Sequence, residues 1–496
     1  FSPENLKDVV LKLNGEAEIF FREKSLDRKI THPKGKPIKN KDPIPDKHGK
    51  SKEKSVFEYD IIKDRRYTED KFFFHCPITL NFKAGDHARI VNQRVQDTLK
   101  NEVHVLSIDR GERHLAYYTL LDPNGSIIEQ GSFNTVNDDL DRSRDYHGKL
   151  DDLEESRDRA RKSWKKVANI KELKEGYLSQ IVHKVCKMAV EKEAIIVLED
   201  LNYGFKRGRF KIEKQVYQKF EKMLIDKLNY LVFKDKKKEV PGGVLKAYQL
   251  TSPLDSLKNL GKQSGIIFYV PAHYTSKVCP RTGFVNLLRP KYESVEKAKN
   301  FFKRFRHIRY DKTNGYFEFH FKYSDFIEDM KKKKLTRDNW TVCSYGKRLV
   351  NRQSGKHKGF ETEEIDPTLE LKALFKRHTI DFEDGEDLVG RICGCDESKF
   401  FNDLMYLLRC VLQLRNSRAN SPEDYLLSCV KDTNGHFFDS RKAKNGEPQD
   451  ADANGAYHIG MKGLMLIDRI RAGGKVNFKI DRNDYLNYIM KDGGKH

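Results

Sequence analysis

The sequence predicts a mixed α/β fold, α+β in part, and three observations carry that prediction. A short apolar run, Val103 to Asp109, ends on an acid and opens a hairpin meander. Apolar residues from Ile170 to Ala189 recur at three- and four-residue steps, the pattern of an amphipathic helix, and feed a second apolar run that ends on Glu199. A late apolar helix, Ile459 to Ile470, is opened by the acidic string Asp450-Ala-Asp452. Strands interleaved with helices are the order of a sheet covered by helices.

Taken in order, the first module covers residues 1 to about 84. Within it, Thr31 to Ser55 is dense in Lys, holds Pro33, Pro37, Pro43 and Pro45, and reads as a loop interrupting a β-rich unit. Aromatic strand-like runs resume from Val56 to Phe82. After the Val103–Asp109 strand come a second strand, Leu115 to Leu121, the turn Asp122-Pro-Asn-Gly125 and a third strand, Ser126 to Ser132, at hairpin spacing. Tyr146 to Lys166 is polar almost throughout and reads as an exposed helix anchored by Trp164. The strand Ala194 to Leu198, a helix from Glu213 to Leu231 and a strand near Gly265 to Val270 follow. Residues from about 272 to 449 form an irregular, Lys- and aromatic-rich insertion with its own helix, Phe401 to Leu414.

Composition narrows the partners. The chain has 496 residues, room for about three domains at roughly 150 residues each. Lys and Arg number 95 against 74 Asp and Glu, a formal charge of +21 that concentrates polyanions and makes their binding salt-dependent. Nucleic acid is the first expectation. No apolar run reaches the roughly 18 residues of a membrane span, so no membrane partner is expected. The eight cysteines are scattered, and Cys279-Pro-Arg-Thr and Cys393-Gly-Cys395 lack the paired C-x-x-C spacing of tetrahedral zinc sites; no zinc is expected, and a reducing cytoplasm fits best.

Three acids carry the chemistry: Asp109, Glu199 and Asp452. Singly, each has a plainer explanation, an N-cap for Asp452 and strand-end ion pairs for the other two. Together, on a first strand, a later strand and a final helix, they are what a ribonuclease-H-like sheet needs to gather carboxylates at one edge. Hard oxygen ligands suit Mg²⁺, and two such ions held by shared carboxylates hydrolyse phosphodiesters.

At these residues a resemblance becomes specific. Ser107-Ile-Asp109-Arg-Gly-Glu-Arg-His-Leu-Ala-Tyr-Tyr118 resembles the RuvC-I motif of type V-A CRISPR-associated RNA-guided DNA endonucleases. Val197-Leu-Glu199-Asp-Leu-Asn-Tyr-Gly-Phe205 is similar to their RuvC-II motif, and Asp450-Ala-Asp452-Ala-Asn454-Gly-Ala-Tyr-His-Ile459 to RuvC-III. The likeness continues through Glu175 to Gln180, Tyr269 to Ala272 and Gln413 to Ser417. It implies a RuvC domain split in sequence: the end of a wedge domain (1–84), RuvC-I (85–141), a bridge helix around Trp164 (142–166), RuvC-II (167–271), a Nuc insertion (272–449) and RuvC-III (450–496).

The resemblance further implies that Asp109, Glu199 and Asp452 are the metal-binding catalytic triad, holding Mg²⁺ with Mn²⁺ as a substitute. Asp450 is the alternative third acid, though the family's pattern favours the one preceding Ala-Asn-Gly. Arg415 and Asp424 match Nuc positions that support target-strand cleavage; Arg415 near a helix C-terminus also has a dipole explanation. In the wedge module His32, Lys41 and Lys63 match residues of metal-free precursor guide-RNA processing, with Lys39 or Lys36 able to replace Lys41 in another register. The implied partners are guide CRISPR RNA, target double-stranded DNA and single-stranded DNA. The implied setting is a monomeric effector in a prokaryotic cytoplasm, and the missing N-terminal recognition lobe marks the chain as the cutting portion of a longer polypeptide. Two other classes stay open: a RuvC-like transposon-encoded nuclease or resolvase, and a non-catalytic nucleic-acid-binding fragment.

Overall fold

The computed structural model describes residues 10–13, 18–22, 30–39, 54–58, 60–62, 70–75, 78–81, 84–109, 116–137, 143–145, 170–200, 211–233, 235–254, 260–262, 264–327, 335–353, 360–383, 385–419, 421, 423–474 and 476–490. The chain parts into two compact units, Phe1–Lys83 and Ala84–His496.

In the first unit, antiparallel strand pairs nest in sequence. Val10–Leu13 pairs with Ile78–Asn81, Glu18–Arg22 with Lys71–His75, Ile30–His32 with Ile61–Ile62, and Ile38–Lys39 with Lys54–Ser55. The stretch from Thr31 to Ser55, expected to be a loop, therefore carries strand ends. Two- and three-residue strands are too short for an alternating pattern to show in the sequence, and backbone pairing decides them.

In the second unit a five-stranded mixed sheet carries Asp109 and Glu199. Its strands are β1 (His104–Asp109), β2 (Tyr117–Leu121), β3 (Ile127–Ser132), β4 (Ala194–Asp200) and β5 (Ile267–Pro271), in the order β3-β2-β1-β4-β5. The first three form an antiparallel meander; β4 lies parallel to β1, and β5 parallel to β4. Helix α1 (Ile170–Glu191) makes the crossover from the meander to β4, and α2 (Lys211–Asn229) follows β4. Parallel neighbours require such a crossover, since a tight turn cannot reverse the chain twice.

Side-chain alternation then sorts the sheet's two faces. Leu106, Ile108, Ile196 and Leu198 point to one face and pack with Tyr177, Ile181, Val185, Leu224 and Leu228 of α1 and α2. Val105, Ile195, Val197 and Val270 point to the other, into a core shared with Ile459, Met461 and Leu464 of α3 (Ala451–Arg471). Every residue of α3 from Ala451 to Ile467 is buried, so the helix is enclosed on all sides. It settles closely because Gly460 and Gly463 lack side chains: a Cβ would lie 2.5 Å from Leu121 Cδ1 at the first and 2.5 Å from Val197 Cγ2 at the second. A last helix, α4 (Arg482–Met490), adds Tyr485, Leu486 and Ile489 to the same core.

The insertion proves ordered rather than irregular. His307–Asp311, Tyr316–Lys322 and Asn339–Cys343 form an antiparallel sheet, and Arg415–Ser417, Asp424–Lys431 and Phe437–Asp439 another. Its aromatic residues are the reason: Phe302, Phe317, Phe319, Phe321, Trp340, Phe375, Phe400 and Phe401 are all at most 1 % exposed. Strands buried on both faces lose the polar alternation that reveals a half-exposed strand. The polar helix expected over Tyr146 to Lys166, with its Trp164 anchor, lies outside the described residues.

Candidate active site

Asp109 and Glu199 reach the same face by counting. Asp109 is two residues beyond Ser107 on β1, Glu199 two beyond Val197 on β4, and Ser107 and Val197 are paired neighbours in the parallel register. Both carboxylates therefore leave adjacent strand ends on the α3 face. Asp109 is half-buried and Glu199 buried.

Helix α3 begins at that edge. Asp450 is its N-cap, the carboxylate accepting the Ala453 amide at 2.6 Å. The capping explanation for Asp452 thus falls to Asp450, two residues earlier. Asp452 lies inside the first turn, 7 % exposed, where the helix dipole favours an anion. Gly455 brings the backbone of the same helix against β1: a Cβ there would sit 2.1 Å from Asp109 Oδ2. Tyr117, the cross-strand partner of Asp109, packs with Ala453 and Ala456 beneath this turn. Burial, and then the charge and hydrogen bond of Asp450, push its phenol well above the usual range.

Arg415 enters from the insertion. Its Nε donates to Asp424 Oδ1 at 3.1 Å, and its Nη2 donates both to Asp424 Oδ2 and, at 2.8 Å, to Asp452 Oδ1. Burial would weaken the charge, but the hydrogen bond and charge of Asp424, followed by those of Asp452, raise the guanidinium above its ordinary value. The helix-dipole explanation for Arg415 is corrected here. The preceding helix ends at Val411, and Arg415 lies in a strand with its guanidinium on two carboxylates.

Asp109, Glu199 and Asp452 are brought to one edge by different elements, but Arg415 occupies one side of Asp452. Among the described residues, the group that packs three metal-ligand side chains within 4.8 Å of one another is His378, Cys395 and Glu397 in the insertion, and not the three acids. His32 is exposed at the end of its short strand, while Lys41 and Lys63 lie outside the described residues.

Sequence reasoning missed the residues that brace this edge. Thr275 donates from Oγ1 to Glu199 Oε1 at 3.2 Å. Asn454, inside the third acidic motif, donates from Nδ2 to the carbonyl of Val278 at 3.0 Å and ties the loop after β5 to α3. Lys462 is fully buried and donates to the carbonyls of Pro271, at 2.6 Å, and His273. It is the lone Lys, Arg, Asp or Glu between Gly455 and Ile467, which is the signal that could have marked it.

A mixed β3-β2-β1-β4-β5 sheet with carboxylates at the β1 and β4 ends and a late helix over them defines a ribonuclease-H-like nuclease. The model of the RuvC nuclease domain family matches residues 85–493, and the chain belongs to that family. RuvC nucleases are hydrolases that act on nucleic acid and generally use divalent metal ions, in keeping with the +21 charge. Among the described residues no helix is long and apolar enough to cross a membrane.

Proposed function

We propose that the chain is the nuclease portion of a type V-A CRISPR RNA-guided DNA endonuclease, with Asp109, Glu199 and Asp452 as its catalytic, metal-holding triad. The observation that carries this reading is the meeting of three sequence-distant motifs at one sheet edge. Ser107–Tyr118 ends β1 and begins β2, Val197–Glu199 ends β4, and Asp450–Ile459 opens α3. The donor set fits a hard divalent ion such as Mg²⁺, because all three candidate ligands are carboxylates and Gly455 leaves the Asp109 carboxylate room against the helix backbone. Held there, metal would activate water and stabilise the leaving oxygen of the scissile phosphodiester.

The chain's own residues do the rest. Thr275 orients the Glu199 carboxylate, and Asp424 grips two nitrogens of Arg415, presenting a charged guanidinium to the phosphate of a target strand as well as to Asp452. In the first unit, the reading gives precursor guide-RNA trimming to His32, Lys41 and Lys63: imidazole exchanging protons, lysines stabilising charge on phosphorus. The divisions at 84, 141, 166, 271 and 449 belong to the same proposal.

The test is Mg²⁺-dependent cleavage of guide-matched duplex and of single-stranded DNA by the guide-loaded protein. Asp109→Ala and Glu199→Ala are expected to lower both rates by at least roughly 10³-fold, about 4 kcal/mol of transition-state stabilisation. Full cutting by either variant overturns the site, and guide-independent cutting of duplex by the unaltered protein overturns the RNA-guided assignment.

A further inference from the structure

Lys462 is an amine with no exposure to solvent, set within the apolar stretch from Ile459 to Ile467 of α3, and burial pushes its pKa down to about 7 against the opposing pull of Glu199. Burying a charge costs several kcal/mol unless the protein supplies compensating partners. Here they come from three elements. The carbonyls of Pro271 and His273, at the end of β5, accept from Nζ; the ring of Tyr485 on α4 lies 4.8 Å from it; and the carboxylate that acts on it electrostatically is Glu199. The segment that Lys462 grips hands a hydroxyl to Glu199 only two residues later, from Thr275. Asn454, eight residues earlier on the same helix, holds that loop again at the carbonyl of Val278.

We infer that Lys462 is a positioning residue for Glu199: by clamping Pro271 and His273 it fixes where Thr275 meets the carboxylate. This rests on the reading of Glu199 as a metal ligand. The clamp has a consequence that opposes plain electrostatics. Removing a buried cation near a metal site should by Coulomb attraction alone strengthen cation binding. If Lys462 works by holding the ligand in place, its removal weakens binding instead, because a loosened carboxylate must be ordered when the ion arrives.

The experiment measures Mn²⁺ binding to the protein by titration calorimetry, without DNA, alongside single-turnover cleavage of a single-stranded oligodeoxynucleotide by the activated protein. The variants are Lys462→Met, Thr275→Val, the double variant and Glu199→Gln. Lys462→Met is expected to weaken Mn²⁺ binding about tenfold and slow cleavage by a similar factor at saturating Mn²⁺. The double variant should be no worse than Lys462→Met, since both changes act on one contact. Tighter or unchanged Mn²⁺ binding in Lys462→Met overturns the inference, as do independent, multiplying effects in the double variant. If Glu199→Gln binds Mn²⁺ as the unaltered protein does, the ligand assignment falls and this inference with it; if Glu199→Gln binds weakly while Lys462→Met does not, this inference alone falls. Should Lys462→Met fold poorly, Lys462→Arg, which keeps a cation but displaces its donors, carries the same cycle with the same expected signs.

Discussion

Arg415 and Asp452 are joined by a 2.8 Å ion pair that links a strand of the insertion to the first turn of the helix bearing the third acid. The same guanidinium nitrogen also serves Asp424, whose side chain is 5 % exposed against 9 % for Asp452. Arg415→Met would remove the guanidinium that two nearly buried carboxylates share, and breaking such a buried pair costs about 3–5 kcal/mol. A clear fall in thermal midpoint is expected. Mn²⁺ should then raise the midpoint of Arg415→Met more than that of the unaltered protein, because the ion supplies the missing positive charge. Equal metal-induced shifts in the two proteins would count against Asp452 as a ligand.

Gly455 offers a sharper probe of the same edge. Alanine is favoured over glycine within a helix by about 1 kcal/mol, so Gly455→Ala should stabilise α3 if nothing stood in the way. The new Cβ would instead fall 2.1 Å from Asp109 Oδ2. The expected result is loss of cleavage by at least about tenfold, from a displaced ligand. Gly463→Ala meets Val197 Cγ2 at 2.5 Å, away from the acids, and should lower stability with a smaller effect on rate per degree of midpoint lost. Equal rate losses at matched stability would refute the distinction.

A buried histidine, His458, and a half-buried one, His273, predict acid sensitivity. His458 is pushed down to about 3 by burial, then by the charge of Lys462; His273 is pushed down to about 4 by the same two causes in the same order. An unfolded imidazole titrates near 6.5. Below that pH the unfolded chain takes up protons that the folded one refuses, so this contribution to stability is complete above about pH 6.5 and is lost as pH falls toward the folded values. The midpoint should drop between pH 6.5 and 4.5, and less steeply in His458→Gln. Parallel curves for the two proteins would show that His458 is not responsible.

What the sequence made legible is what periodicity encodes. β1, β2, β4 and α3 were readable as apolar runs and β3 from its hairpin spacing after β2, and counting residues along β1 and β4 carries Asp109 and Glu199 to one side. β4 runs one residue past Glu199, to Asp200, because its pairing with β5 continues to Pro271. In the insertion, Asp424–Lys431 was hidden because it is buried on both faces, whereas Tyr316–Lys322 alternates Phe317, Phe319 and Phe321 with Glu318, His320 and Lys322 and carried a readable strand pattern. The helix-dipole explanation of Arg415 failed for a different reason. The partners of Arg415 are 9 and 37 residues away, and no local pattern announces an arginine shared between two distant aspartates. Lys462 was visible as an oddity, but its purpose required the carbonyls of β5.

The position of α3 in the chain has a consequence for biosynthesis. Asp109 and Glu199 leave the ribosome well before Asp452, and the whole insertion, residues 272 to 449, must be made between Glu199 and the helix that completes the edge. During synthesis at roughly 5–20 residues per second, the nascent chain spends tens of seconds with two acids and no third. On the proposed reading of the three acids, any product that stops short of residue 450 lacks Asp452 and is expected not to cut.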